Sequence, residues 1–305
     1  MNRAKLILWI FFTFFIVQSC KQKHTEEAPV ETPSAGTASI AVDESLKPII
    51  DQELYIFTQL NTKANLKPVY APENDVLRLL LNDSLRMAVL SRDLTADEKK
   101  VFAQKRLVPL VNRFAIDAVT LIVNQASTDT LITVNELKKM LAGKSQSGVN
   151  IVFDNANSSL ARYLKSFSGV NDLKQNNIYS LKNNKEVIKY VNGHPNSIGI
   201  TGLSWLNNPD ADYAEAVDKV KVMAVRDENS KTAPNQYFTP SQNTLSLKQY
   251  PLIRGLYIIN CTGKVGLGLG FAHFILSEQG QMIILRSNLL PDSIPERVIQ
   301  IKHTY

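Results

Sequence analysis

Residues 38–60 read Ala38-Ser39-Ile40-Ala41-Val42-Asp43-Glu44-Ser45-Leu46-Lys47-Pro48-Ile49-Ile50-Asp51-Gln52-Glu53-Leu54-Tyr55-Ile56-Phe57-Thr58-Gln59-Leu60, and the hydrophobic period changes within them. Ala38 to Val42 is a short apolar strand. Leu46, Ile49, Ile50, Leu54, Phe57 and Leu60 then recur at the three-and-four spacing of a buried helix face. Ser45 is expected as the N-cap, which puts Pro48 in the first turn, where a missing N–H is tolerated.

The same change of period recurs along the chain. Leu66 to Tyr70, Met87 to Leu90, Phe114 to Asn124, Asn150 to Phe153 and Ser197 to Ile200 read as strands. Helices are expected over Asp75 to Leu81, Thr95 to Lys105, Val134 to Leu141, Ser158 to Phe167 and Glu186 to Val191, with Thr133 capping the third and Gly143 behind it. Val220 to Arg226 reads as one strand, and the polar stretch from Asp227 to Thr244 as a loop. Leu252 to Ile259 returns as a strand, followed by one long helix over Val265 to Arg286 and a closing strand near Arg297 to Ile301. Such alternation predicts α/β layers around a mixed, largely parallel sheet. Two successive series, with a last piece able to rejoin the first, suggest two lobes joined by crossing strands: 38–116 with 255–305, and 117–254. Ligands in such folds sit at the carboxyl ends of strands. The cleft is therefore expected at the turns Asp43 to Ser45, Pro72 to Asp75 and Asp154 to Ser159.

The first residues follow a different rule. Arg3 and Lys5 precede an apolar run from Leu6 to Val17, interrupted by Thr13, which is the layout of an export signal and short for a membrane span. The run ends in Val17-Gln18-Ser19-Cys20, similar to a bacterial lipoprotein signal, so residues 1–19 are expected to be removed and Cys20 lipidated. Acyl chains would hold the protein on a membrane, each buried methylene contributing about 0.8 kcal/mol. Residues 20–37 are rich in Glu, Pro, Thr and Ala and read as a flexible tether. Cys261, the second of two cysteines, then lacks an intrachain partner and reads as a packed core thiol.

The 305 residues are 44% hydrophobic and 20% charged, ordinary for a globular chain. The net charge of +6 includes Arg3 and Lys5 and has no basic cluster, which gives no case for nucleic acid. Gly263, Gly266, Gly268 and Gly270 contain a fragment of dinucleotide-loop spacing without the acidic residue that should follow. A Gly-x-Ser-x-Gly elbow and a paired-histidine helix motif do not occur.

Several segments, in order across the mature chain, resemble the phosphate-binding proteins of ABC importers. They are Val42-Asp43-Glu44-Ser45-Leu46-Lys47-Pro48, Met87-Ala88-Val89-Leu90-Ser91-Arg92-Asp93-Leu94-Thr95, Ala118-Val119-Thr120-Leu121-Ile122-Val123-Asn124, Ser197-Ile198-Gly199-Ile200, Tyr250-Pro251-Leu252-Ile253-Arg254-Gly255-Leu256-Tyr257-Ile258, and Phe271 to Gln281 followed by Leu289-Leu290-Pro291. The resemblance implies a two-lobed periplasmic-binding-protein-like fold with hinge-linked parallel or mixed sheets. It also implies a solute-binding lipoprotein rather than an enzyme, lipid-anchored in the cell envelope and periplasm-facing. Its partners would be a small anionic or polar solute, phosphate among them, and an ABC permease, with no cofactor and no metal. Family members hold an oxyanion with hydroxyls and N–H groups at helix N-termini. Carried onto this chain, the ligand-binding set is Ser45, Asn74, Ser91, Arg92, Asn157, Ser158 and Ser159.

The loops depart from the family pattern in one direction. Val42 and Asp43 stand where Gly and Ser are expected, and the second loop reads Ala71-Pro72-Glu73-Asn74-Asp75, without Gly or hydroxyl. The Arg that normally precedes the third loop has no counterpart in Phe153-Asp154-Asn155, leaving Arg92 and Arg162 as replacements. Asp43, Glu44, Glu73 and Asp75 either cap the two helix starts or face the cleft. In the cleft each would oppose a bound dianion by roughly 1 to 4 kcal/mol at about 4 Å. The alternative to solute capture is an envelope interaction lipoprotein that keeps the scaffold and has lost the anion.

Overall fold

The alternation becomes βα units in the computed structural model, which describes residues 31–145, 148–207 and 209–293. The export segment, Cys20 and the closing strand expected at Arg297 to Ile301 lie outside the described residues. In chain order the elements are β1 (Ala35–Asp43), α1 (Lys47–Leu60), β2 (Lys63–Ala71), α2 (Glu73–Leu81), β3 (Met87–Leu90), α3 (Ala96–Gln104) and β4 (Leu110–Asn124). There follow β5 (Leu131–Thr133), α4 (Val134–Leu141), β6 (Asn150–Phe153), α5 (Ser159–Ser168), β7 (Ile178–Ser180), α6 (Asn184–Gly193) and β8 (Ser197–Gly202). The chain then forms α7 (Ala214–Val217), β9 (Val220–Val222), β10 (Ala224–Arg226), α8 (Gln242–Ser246), β11 (Ile253–Asn260), α9 (Leu267–Leu276), α10 (Glu278–Arg286) and β12 (Leu290–Pro291).

Strand β4 organises the sheet because it is long and, from Phe114 onward, almost wholly buried. Leu110 to Ala118 pair antiparallel with β11, and Val119 to Val123 pair antiparallel with β8. The main path runs β2-β1-β3-β11-β4-β8-β6-β7, with β9 and β12 also on β4. Parallel βα units thus lie on both sides of a pair of antiparallel crossing strands, the mixed α/β architecture of a two-lobed binding fold.

Helices cover the sheet by apolar faces at helical spacing. Ile49, Ile50, Leu54 and Phe57 of α1 are buried, and Phe57 meets Phe271 of α9 edge-on at 5.3 Å between ring centroids. On the other side Val187, Ile188 and Val191 of α6 pack on Ile122 and Val152. Gly199 of β8 makes that approach possible, since a Cβ there would lie 2.6 Å from Val191 Cγ2 and 2.9 Å from Ile122 Cγ1. The glycines near α9 serve packing as well: a Cβ on Gly270 would sit 1.8 Å from the Pro33 carbonyl oxygen.

The structure corrects several expectations. Residues 31–37 are part of the fold rather than of the tether. Glu31 pairs with Lys264 and accepts a hydrogen bond from Leu267 N at 3.2 Å, and β1 begins at Ala35, with Gly36 at φ 119°. Polar contacts and sheet hydrogen bonds order a stretch that apolar content alone could not. Val220 to Arg226 is two strands, because Met223 turns inward, β9 stays on β4 and β10 crosses to pair with β5. The long closing helix breaks at Ser277, which ends α9 and caps α10 by accepting from Gly280 N. Asn124 to Asn150 and the polar stretch before β11 also carry short elements, α8 among them, capped by Ser241.

Candidate functional site

Three helix starts meet where β1, β2 and β6 end. After β1, Asp43 accepts from Ser45 N at 3.0 Å and closes a 3-10 turn, Glu44–Leu46, before α1 begins. Ser45 is therefore not an N-cap; Asp43 caps the turn and the Ser45 hydroxyl is released sideways. After β6, Ser158 caps α5 by accepting from Ala161 N at 3.1 Å while donating to Asp154 Oδ1. That leaves Ser159, the first residue of α5, with its hydroxyl pointing away from the helix's own cap.

The two hydroxyls meet. Ser45 Oγ and Ser159 Oγ share a hydrogen bond of 3.0 Å, and Arg254 Nη1 donates to both, at 3.1 and 3.0 Å. Arg254, only 5% exposed, is held by Asp117 Oδ2, which accepts from Nε at 2.9 Å and Nη2 at 2.8 Å. Arg254 and Asp117 are direct register partners on β11 and β4, so the crossing strands themselves aim the guanidinium at the two serines. Gly202 leaves it room, since a Cβ there would lie 2.8 Å from Nη2. Trp205 Nε1 donates to the Ser45 carbonyl at 2.8 Å, tying the far side of the sheet to the same turn.

A second cluster is centred on Glu73, the first residue of α2 and fully buried. Arg162 of α5 donates from Nη2 to Glu73 Oε2 at 3.1 Å and from Nε to Oε1. Ser91 Oγ donates to Oε2 at 3.3 Å and itself accepts from Arg162 Nη2 at 3.1 Å. Arg92 Nε reaches Oε1 at 3.4 Å, but its fork is given to Glu98, at 2.8 and 2.7 Å. At the rim Asn74 and Asn157 are exposed and meet through their backbones, Asn74 N donating to Asn157 O at 3.4 Å.

The sequence-derived set thus divides. Ser45 and Ser159 meet at Arg254, whereas Ser91 and the half-buried Arg92 belong to the separate cluster around Glu73; Ser158 is an N-cap; Asn74 and Asn157 lie on the rim. Of the four acidic loop residues, Asp43 and Glu73 point inward, Glu44 is half-buried and Asp75 pairs with Arg78 on the surface at 2.9 Å. Sequence reasoning missed Arg254 and Asp117 as a functional pair. The signal was present: Asp117 is the one charge between Phe114 and Asn124, and Arg254 the one charge between Leu252 and Ile259, both largely apolar stretches in which a charge calls for a buried partner.

Electrostatics follow from burial. Burial raises the Asp43 carboxyl above the usual carboxylate range, against the pull of Arg254 and with the push of Glu73. Asp43 Oδ2 is buried; Ser159 lies close enough to favour its charged form but makes no hydrogen bond of good geometry to it. Burial pushes Asp154 up to about 7, opposed by the Ser158 hydrogen bond. Burial works against the charge of Arg254, and Asp117 and Asp43 outweigh it, so the guanidinium is held above its ordinary range. Two hydroxyls, a fixed cation and the N-terminus of α5 together can hold a compact group bearing acceptor oxygens. Among the described residues no cluster of His, Cys, Asp and Glu is arranged to hold a metal ion, and no helix is long and apolar enough to cross a membrane.

Comparison with known proteins gives a consistent neighbourhood. Residues 27–279 match the sequence model of the PBP superfamily domain. The phosphate-binding protein PstS of Borreliella burgdorferi is 25% identical over 311 residues, covering 94% of this chain and 98% of that protein. Among solved structures, a phosphate ABC transporter substrate-binding protein from Clostridium perfringens, with bound phosphate, superposes with a TM-score of 0.69 at 18% identity, covering 85% of this chain and 100% of that one. An ABC-type phosphate transport receptor from Vibrio cholerae gives a TM-score of 0.62 at 19% identity, covering 83% and 99%. At these identities the structural likeness speaks for the fold.

Proposed function

Because the chain belongs to the PBP superfamily, we propose that it is the solute-binding component of an ABC importer and closes two lobes on a small oxyanion, phosphate first among the anions to test. The single observation that carries this reading is the Ser45–Ser159–Arg254 node. Hydroxyls from two helix starts on opposite sides of the crossing strands converge on one buried guanidinium. An oxyanion entering between the serines would exchange their mutual hydrogen bond for two charge-assisted ones, and Arg254 would supply the balancing charge. The relatives named for phosphate binding support the choice of anion.

The lobe boundary in this reading lies near Asp117, where β4 passes from β11 to β8, and it returns near Ile253. Closure about those two strands would present the bound form to a membrane permease, as in hinge-type binding proteins. The finer features follow the sequence: a lipid anchor at Cys20, a short tether, and a location in the cell envelope facing the periplasm. The protein acts by binding rather than by catalysis. Thermal unfolding in phosphate-free buffer tests the reading. A ligand at about 100 times its dissociation constant stabilises by roughly 2.7 kcal/mol, so phosphate or sulfate is expected to raise the midpoint, and Ser45→Ala and Ser159→Ala to abolish the rise. No rise with any anion points instead to an interaction lipoprotein on the same scaffold.

A further inference from the structure

The Glu73 carboxylate is a charge that an oxyanion site does not call for, yet it is fully buried at a helix start beside that site. Donors from both sides of the cleft converge on its two oxygens. Arg162 comes from α5, whose first residue is Ser159; Ser91 and Arg92 come from the turn after β3. A guanidinium fork plus a hydroxyl around two oxygens is the arrangement that recognises a carboxylate or a phosphate. Arg92 has Glu98 as its own partner, so its charge is already balanced. Arg162 and Ser91 are the donors that Glu73 takes up, and the Arg162–Glu73 pair joins α5 to α2 across the cleft.

Resting on the solute-binding reading, we propose that Glu73 is a resident carboxylate seated on the oxyanion donors Arg162 and Ser91. It latches α2 to α5, and an anionic solute takes these donors only by displacing it. Glu73 thereby sets which solute charge the cleft accepts: a dianion meets its repulsion, and a less charged or partly protonated oxyanion meets less of it. Neutralising the side chain while keeping its shape should free the donors without removing a hydrogen-bonding group, and Arg162 is exposed enough to remain hydrated.

The test uses the full chain in detergent, stripped of phosphate, with spin labels at Val69→Cys and Tyr179→Cys, exposed positions on the two outer strands β2 and β7. Pulsed electron resonance reads the distance between the labels, and calorimetry reads binding of inorganic phosphate. Glu73→Gln is expected to lengthen or broaden the distance without phosphate and to bind phosphate about tenfold tighter or more. Glu73→Asp, which keeps the charge, should leave affinity near the wild-type value. Equal or weaker affinity in Glu73→Gln overturns the proposal, and if Ser159→Ala still abolishes wild-type binding the functional reading stands without it. If phosphate binds neither protein, the functional reading fails and the distance decides the latch: lengthening in Glu73→Gln supports it, and an unchanged distance overturns it.

Discussion

Replacing Arg254 by Met removes the cation of a buried pair and leaves Asp117, fully buried on β4, facing the space it occupied. Met restores much of the apolar stem but none of the four side-chain hydrogen bonds that Arg254 makes to Asp117, Ser45 and Ser159. Stranding one member of a buried ion pair typically costs about 3 to 5 kcal/mol. The Asp117 carboxylate retains Ala118 N at 2.8 Å and Leu203 N at 3.3 Å, which places the expected loss toward the lower end, about 3 kcal/mol. Asp117→Leu alone should be similarly damaging, since it strands the guanidinium. The double variant Arg254→Met with Asp117→Leu should recover most of the loss, as two apolar side chains replace the pair. Urea unfolding monitored by circular dichroism supplies all four free energies of the cycle. A single-variant loss under about 1 kcal/mol, or a double variant as unstable as the sum of the singles, would refute the buried-pair account.

Two further predictions concern protons. Glu53 is buried in α1 with neither carboxyl oxygen hydrogen-bonded, and burial pushes it up to about 9. The folded state then holds a proton that the unfolded chain releases above about pH 4.5, so stability is full below that pH and falls by about 1.4 kcal/mol per unit up to about pH 9, roughly 3 kcal/mol by pH 7. Glu53→Gln should flatten that slope in urea titrations taken from pH 5 to 9, and an unchanged slope contradicts the assignment. Asp154, raised to about 7, should weaken anion binding as it ionises. Sulfate, whose charge is constant over this range, is expected to bind more weakly at pH 8 than at pH 6, and Asp154→Asn to remove most of the difference in calorimetric titrations.

Local periodicity made most elements legible because α1 and α4 each bury one apolar face at helical spacing, while β3 and Ile151 to Phe153 of β6 are short, continuously buried apolar runs. Thr133 and Glu136 also form a reciprocal capping box at the start of α4. The misreadings share a cause, competition between a local pattern and a distant partner. Val220 to Arg226 is one apolar run interrupted only by Lys221 and ending at Arg226, but its two halves hydrogen-bond to β4 and β5, which no local pattern distinguishes. Residues 31–37 lack apolar weight and are ordered by an ion pair and a backbone approach to α9, more than 230 positions away. The site was half legible. The three strand-to-helix turns identified where it lies, and the serines at two of them do meet. Which charges point inward was not legible, because Asp43 and Asp75 are equally ordinary near a helix start, and only the direction of the turn buries the first and exposes the second.

Calorimetric titration of phosphate-stripped protein with inorganic phosphate tests the central claim most directly. The account predicts one site per chain, lost in Ser159→Ala while that variant unfolds as cooperatively as the wild type. Absence of any binding heat with phosphate, sulfate or another small oxyanion, in a protein that unfolds cooperatively, would contradict it.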